Sequence, residues 1–170
     1  MSRGPKIRYL VLDADGVLTD CRLFYTDDGQ EIKSFNIRDG HGIKLLMRAG
    51  IGVAIITGRV SKAVEHRAKD LKIEHVVQGA KDKKAALLEL SRQLGVEPGE
   101  MAYMGDDVVD LPAMALCGMS IAPGDAADMV RERAHIVTSL PGGHGAVREA
   151  AEIILKHLGL FEKAMERYVG

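Results

Sequence analysis

The sequence predicts a doubly wound, Rossmann-like α/β fold, a parallel sheet covered by helices on both faces. Three observations predict it. Short, continuously apolar runs alternate along the chain with segments of helical periodicity. The apolar runs end in carboxylates or in threonine-glycine, as strands do when a ligand site lies beyond their carboxyl ends. One segment breaks the alternation and reads as a β-hairpin inserted directly after the first strand.

The elements follow in order. Residues 9–12 (YLVL) are apolar without alternation, the mark of a strand buried on both faces. Residues 21–37 carry two β-leaning runs around TDDGQ, where Asp28-Gly29 is a turn signal. A lone hairpin is marginal in water, so Leu23, Phe24, Tyr25, Ile32 and Phe35 need a surface to lie against. Residues 41–50 form a helix stopped by Gly50. The run at 51–57 repeats the first strand. Ser61 opens a helix over 61–71, with Ala63, Val64, Ala68 and Leu71 on one face. A short strand at 74–77 precedes a helix at 83–95 that ends in glycine. Strands at 101–105, 119–122 and 135–137 follow, and a helix at 149–159 closes the fold. No internal repeat or low-complexity segment interrupts this order.

At 170 residues the chain reads as one domain over 1–170, with a hairpin at about 21–37 and a C-terminal tail at about 139–170. It is 46% hydrophobic and 28% charged, with a formal net charge of −1. That balance gives no electrostatic footprint for nucleic acid or an anionic membrane. No stretch is long enough to span a bilayer, and the N-terminal MSRGPKIRYL lacks the apolar core of a signal peptide. Cys21 and Cys117 stand alone, outside any metal-type spacing, and read as reduced residues of a cytoplasmic protein.

Chemistry is expected at the strand ends. Asp13 and Asp15 leave the first strand on one face. Thr57 and Gly58 end the next long strand, and Asp106 and Asp107 end the run at 101–105. Carboxylates converging on one crevice make a hard oxygen site suited to Mg2+, which keeps waters and accepts a substrate phosphate. Lys83 offers a compact positive charge to the same phosphate. Taken singly, a DxD pair is a solvated turn and Lys83 a solvent-facing helix residue. Their order at the ends of successive strands argues for the chemical reading.

The residues that carry these features, LDADGVLTD, IITGR, DKK and GDDVVD, resemble in order and spacing the four motifs of the haloacid-dehalogenase-like phosphatases. The resemblance implies that Asp13 attacks phosphorus to give an aspartyl-phosphate, and that Asp15 serves as acid and then base. It implies Mg2+ held by Asp13, the Asp15 main-chain carbonyl and Asp106, with Asp107 and Asp110 in support. Thr57 and Lys83 would steady the transferring phosphoryl group, which is most of what phosphoryl transfer requires.

The chain has no room for a cap domain. With FNIRDGHGIKLL, VEHRAKDL and PGGHGAVREAAEIIL, it resembles the capless, tetrameric branch that includes phosphatases of 3-deoxy-D-manno-octulosonate 8-phosphate. That resemblance implies an acidic eight-carbon sugar phosphate made for lipopolysaccharide, and a homotetramer built on the hairpins with a tail reaching a neighbouring site. Asn36, Ile37, Arg38, Asp39, Gly40, Lys44, Arg59 and Arg67 match its substrate-binding positions. Lys44 and His144 depart from it where arginine is expected, and both bear on substrate identity. A nine-carbon sialic-type sugar phosphate is the alternative substrate, which Arg59 disfavours. A phospho-accepting receiver-like domain is the alternative of another class, and Asp15 opposes it.

Overall fold

The computed structural model describes residues 6–169, so the first part of the N-terminal segment judged for a leader lies outside them. Eight strands and seven α-helices follow in chain order. They are β1 (Tyr9–Leu12), β2 (Phe24–Tyr25), β3 (Glu31–Ile32), α1 (Ile37–Arg48), β4 (Gly52–Ile56), α2 (Lys62–Leu71) and β5 (His75–Val77). Then come α3 (Lys83–Leu94), β6 (Met101–Met104), α4 (Leu111–Met114), β7 (Met119–Ala122), α5 (Asp128–Arg133), β8 (Ile136–Val137), α6 (Ala146–His157) and α7 (Phe161–Val169). Six strands form one sheet in the order β5-β4-β1-β6-β7-β8, every pair parallel. The chain winds from β1 toward β5, then returns to β6 on the other side. The switch point therefore lies beside β1, where open α/β sheets bind ligands.

The apolar run of β1 is split between two cores. Leu10 and Leu12 pack with Ile43 and Leu46 of α1, Val64 and Ala68 of α2, and Ala150 and Ile154 of α6. Val11 faces the other way, to Leu87 and Leu90 of α3, Ala113 of α4 and Val130 of α5. Alternation along a strand buried on both faces produces these two layers. Among the described residues, no helix is long and apolar enough to cross a membrane.

Several boundaries differ from expectation. The first helix starts at Ile37 rather than residue 41, because the Asn36 side chain caps it by accepting from the Arg38 and Asp39 N–H groups. Ser61 takes the N-cap place of α2 without a side-chain bond. The helix expected at 149–159 begins at Ala146, and it does not close the fold, since α7 follows Gly159. The short helices α4 and α5 were not predicted. The hairpin pairs only Phe24 with Ile32 and Tyr25 with Glu31, around a loop in which Gly29 takes φ +82°. The Thr26 N–H also donates to the Gln30 carbonyl at 2.9 Å, which leaves Asp27, Asp28 and Gly29 as a three-residue loop, a kind that joins strands at a bulge.

Candidate active site

The loop after β1 is wound tightly: the Ala14 carbonyl accepts from Leu18 N–H at 2.9 Å and Thr19 N–H at 3.2 Å. Asp13 continues the ladder to β6 by donating its N–H to the Met104 carbonyl at 3.0 Å. Its side chain points into a buried cluster. One oxygen accepts from Ala14 N–H at 2.7 Å, and the other lies 2.7 Å from Lys83 Nζ. Lys83 is only 5% exposed and sits equally close, 2.7 Å, to Asp110. It is not the solvent-facing residue that a helix start usually carries. Both oxygens of Asp110 are fully engaged. Oδ1 takes Lys83 and the Tyr103 hydroxyl at 3.0 Å, and Oδ2 takes the N–H groups of Asp106 at 3.1 Å and Asp107 at 3.3 Å.

Asp106 completes the cluster. One oxygen from each of Asp13, Asp106 and Asp110 lies within 4.8 Å of the others. Among the described residues, no donor reaches the Asp106 carboxylate. Gly16, at φ +83°, makes room for it: a Cβ there would stand 2.0 Å from Asp106 Oδ2. Burial, then the charges of Asp13 and Asp110, pushes Asp106 up to about 7. Burial, then Asp110, pushes Asp13 up to about 6 despite Lys83. Burial works against the Lys83 charge, yet Asp13 and Asp110 hold its pKa above the ordinary lysine value. A cluster that resists its own negative charge, made only of oxygen donors and with one carboxylate free of hydrogen bonds, fits a hard divalent cation such as Mg2+. Because Asp110 is saturated by other partners, Asp13 and Asp106 are the carboxylates left to ligate.

Asp15 is held elsewhere. Its Oδ1 takes an ion pair from Lys33 Nζ, and Oδ2 faces Arg59 Nε at 3.7 Å. Lys33 also lies 3.3 Å from Glu31, and Arg59 bonds the other Glu31 oxygen, which closes a ring of four charges. Lys33 and Glu31 were missed in the sequence. Their i, i+2 spacing through the end of β3, flanking apolar Ile32, is the signal that places both on one face.

Thr57 follows β4 beside β1; it is buried, with its N–H on the Val77 carbonyl at 2.9 Å. Gly58 is exposed next to it. Asp107 is exposed and turns its carboxylate to the Val108 N–H at 2.7 Å, capping the turn Val108–Asp110. The convergence of carboxylates thus draws in Asp110 and leaves out the side chains of Asp15 and Asp107. The stretch from Asn36 to Gly40 opens α1, with Ile37 and Arg38 exposed. Asp39 is buried, with the start of α6 as its partner. It accepts from Arg148 N–H at 2.8 Å and Gly145 N–H at 3.3 Å, supplying α6 with the N-terminal cap that Gly145 lacks. Gly40 leaves space for Arg67, whose guanidinium would lie 2.4 Å from a Cβ there and donates to the Asn36 carbonyl at 3.0 Å. Lys44 bonds the Leu71 carbonyl at the end of α2.

The C-terminal segment holds a glycine loop bonded within the chain, followed by the helices α6 and α7. Gly143 N–H donates to the Val17 carbonyl at 3.1 Å, and Gly142 N–H to Asp125 at 2.8 Å. A Cβ on Gly142 would lie 1.9 Å from the Gly16 carbonyl, so this loop clamps the Asp13 loop through backbone approach. His144 projects from it, largely exposed, 4.0 Å from Asp20.

Known proteins share this arrangement. The model of the haloacid dehalogenase-like hydrolase family matches residues 37–118. The 3-deoxy-D-manno-octulosonate 8-phosphate phosphatase KdsC of Yersinia pestis is 46% identical over 91% of this chain and 83% of its own. A crystal structure of a probable yrbi family phosphatase from Pseudomonas syringae superposes with TM-score 0.96 at 47% identity, covering 99% of this chain and 96% of that one. The 3-deoxy-D-manno-octulosonate 8-phosphate phosphatase of Moraxella catarrhalis, crystallised with magnesium, phosphate and KDO, gives TM-score 0.94 at 40% identity, covering 96% of this chain and 94% of that one.

Proposed function

This chain belongs to the haloacid dehalogenase-like hydrolases, and from that premise we propose that it hydrolyses 3-deoxy-D-manno-octulosonate 8-phosphate to the free sugar and phosphate. The observation that carries the chemistry is the convergence of Asp13, Asp106 and buried Lys83 at the switch point of the sheet. The relatives supply the substrate, and they favour it over the nine-carbon sugar and over a receiver-like domain. The reaction is phosphomonoester hydrolysis, placed in the making of the lipopolysaccharide inner core.

In this reading Asp13 is the nucleophile. Lys83 and the Ala14 N–H fix its two oxygens, so the carboxylate is oriented before substrate arrives. The Asp13 oxygen–phosphorus bond forms as the sugar oxygen leaves, and Asp15 gives that oxygen its proton. Asp15 then takes a proton from the water that attacks phosphorus and frees Asp13. Mg2+, for which Asp13, Asp106 and the Asp15 main-chain carbonyl are the fitting ligands, supplies charge neutralisation for the transferring phosphoryl group. The Thr57 hydroxyl and Gly58 backbone border the same space from β4. Arg59, which faces Asp15, offers a positive charge suited to a sugar acid, whereas Arg67 is bonded to the Asn36 carbonyl and Lys44 to the far end of α2. Asp110 acts by holding Lys83 and the Asp106 backbone, and Asp107 by shaping the turn that carries them.

The free cysteines, Cys21 exposed and Cys117 buried, support a cytoplasmic setting. Leu23, Phe24, Tyr25 and Ile32 remain exposed on the hairpin, Phe24 by 48%, and this supports a homotetramer joined through it. The whole chain acts as one hydrolase domain.

Phosphate release across eight-carbon, nine-carbon and neutral sugar phosphates, with Mg2+ present, tests the assignment. The eight-carbon acid should give the highest kcat/KM. A higher value for the nine-carbon acid or a neutral sugar would overturn it.

A further inference from the structure

We propose that Lys33, on the hairpin, is a positioning residue that keeps the Asp15 carboxylate out of the aspartate cluster and available for proton transfer. The proposal rests on the acid and base role given to Asp15 above. Three observations carry it. The Lys33 side chain has no exposed surface, although it stands on a two-stranded hairpin whose other side chains are mostly open to solvent. Burying an ammonium costs several kcal/mol unless anions repay it, and here both anions are named: Asp15 and Glu31. Finally, Glu31 Oε1 is buried and lies 3.3 Å from Lys33 Nζ, so the same ammonium faces a second carboxylate.

The geometry also explains why such a tether is needed. Asp13 and Asp15 leave β1 two residues apart, and a cation between Asp13 and Asp106 attracts any carboxylate that can reach it. An Asp15 side chain drawn onto the cation would be unable to carry a proton. Lys33 of the hairpin occupies Oδ1 and Arg59 of the loop after β4 faces Oδ2, so both oxygens are held by residues outside the aspartate cluster. Glu31 in turn ties Arg59 and Lys33 together, which makes the hairpin the support of this ring.

The test separates the two halves of the reaction. A nitrophenyl phosphate leaves as a stabilised phenolate and needs no proton from Asp15, whereas hydrolysis of the aspartyl-phosphate needs Asp15 as base for every substrate. In Lys33→Met and Lys33→Gln, p-nitrophenyl phosphate should still give a burst of one phenolate per site, its rate within about threefold of wild type. Steady-state turnover of both this ester and the sugar phosphate should fall at least about tenfold, with KM changed less than about threefold. Lys33→Gln, which keeps an N–H for Asp15, should be the milder of the two. Unchanged steady-state turnover overturns the proposal, and so does loss of the burst together with turnover. Failure of both variants to fold would make Lys33 a stability residue, which also overturns it. Asp15→Asn is the control: if it shows no burst followed by stalling, the acid and base role of Asp15 fails. If it does and the Lys33 variants do not, only the role of Lys33 fails.

Discussion

Asp13 and Asp15 leave the same strand two residues apart, yet different parts of the molecule hold them. The Asp13 carboxylate is built into the core. Lys83 comes from the start of α3, Asp110 from the turn before α4, and Tyr103 reaches up from within β6. The Asp15 carboxylate is held by the periphery: Lys33 from the hairpin and Arg59 from the loop after β4, which is 46% exposed along its side chain. A nucleophile must stand still against phosphorus, and a packed core supplies that. An acid and base must change its proton and its partners during turnover, and a peripheral ring allows it. Sequence distance alone is a poor guide to what supports a catalytic group.

The largest expected effect breaks the core side of this comparison. Asp13→Asn removes the proposed nucleophile, so both the burst and steady turnover should fall to background with any phosphate ester. Phosphate release near the wild-type level would remove the covalent step. Next comes its support. Asp110→Ala deprives buried Lys83, the Tyr103 hydroxyl and two backbone N–H groups of their acceptor, and should cost about 3–5 kcal/mol of stability by urea unfolding. A loss no larger than that of a surface substitution would mean the cluster is not held as described.

A third experiment sharpens the contrast through pH. Burial lifts Asp13 to about 6 and Asp106 to about 7, both above the ordinary aspartate value of 3.8. In chelator, the stability these protonated groups contribute is complete below 3.8 and is lost as pH rises through 6 and then 7. Mg2+ competes with those protons, so its stabilising shift in Tm should grow as pH rises across that window. Activity should vanish in chelator and return with Mg2+, while excess Ca2+, with its looser coordination shell, should inhibit. A Tm shift independent of pH would take Mg2+ out of the aspartate cluster.

The smallest effect on the fold tests the outward side of the hairpin. Phe24→Asp alters an exposed residue, so subunit stability should change by less than about 0.5 kcal/mol. Sizing should nonetheless show the proposed tetramer split into smaller species. An unchanged assembly would assign the exposed apolar residues no part in it.

The central strands and the aspartates at their ends were legible because buried parallel strands write continuous apolar runs, and charge has few reasons to follow one directly. The layers on either side followed from the same alternation. What stayed hidden depends on contacts between distant segments. Asp39 sits amid residues that read as a binding stretch, but it is spent on the first turn of α6, more than a hundred positions away. Lys83 has no local mark of burial; Asp13 and Asp110 confer it. The glycines at 142–145 suggest a flexible arm, whereas Gly142 and Gly143 lack side chains where the backbone at Gly16 and at Thr19 and Asp20 comes close. Helix α7 was passed over because Gly159 reads as a final stop, although Phe161, Ala164, Met165 and Tyr168 recur beyond it at helical spacing.

The strand order has a further consequence, for how the enzyme comes into being. Tyr9 of β1 lies beside Gly52 on one flank and Met101 on the other. Such distant pairings demand costly loop closure before any contact rewards it, and they fold slowly compared with local hairpins and helices. During synthesis the chain through β4 can dock on β1, but Asp106 cannot reach Asp13 until β6 has left the ribosome and slipped in on the opposite edge. Until then β1 presents an unpaired, wholly apolar edge, a hazard for self-association. The strand that leads into Asp13 is thus among the first made and is completed only late in synthesis.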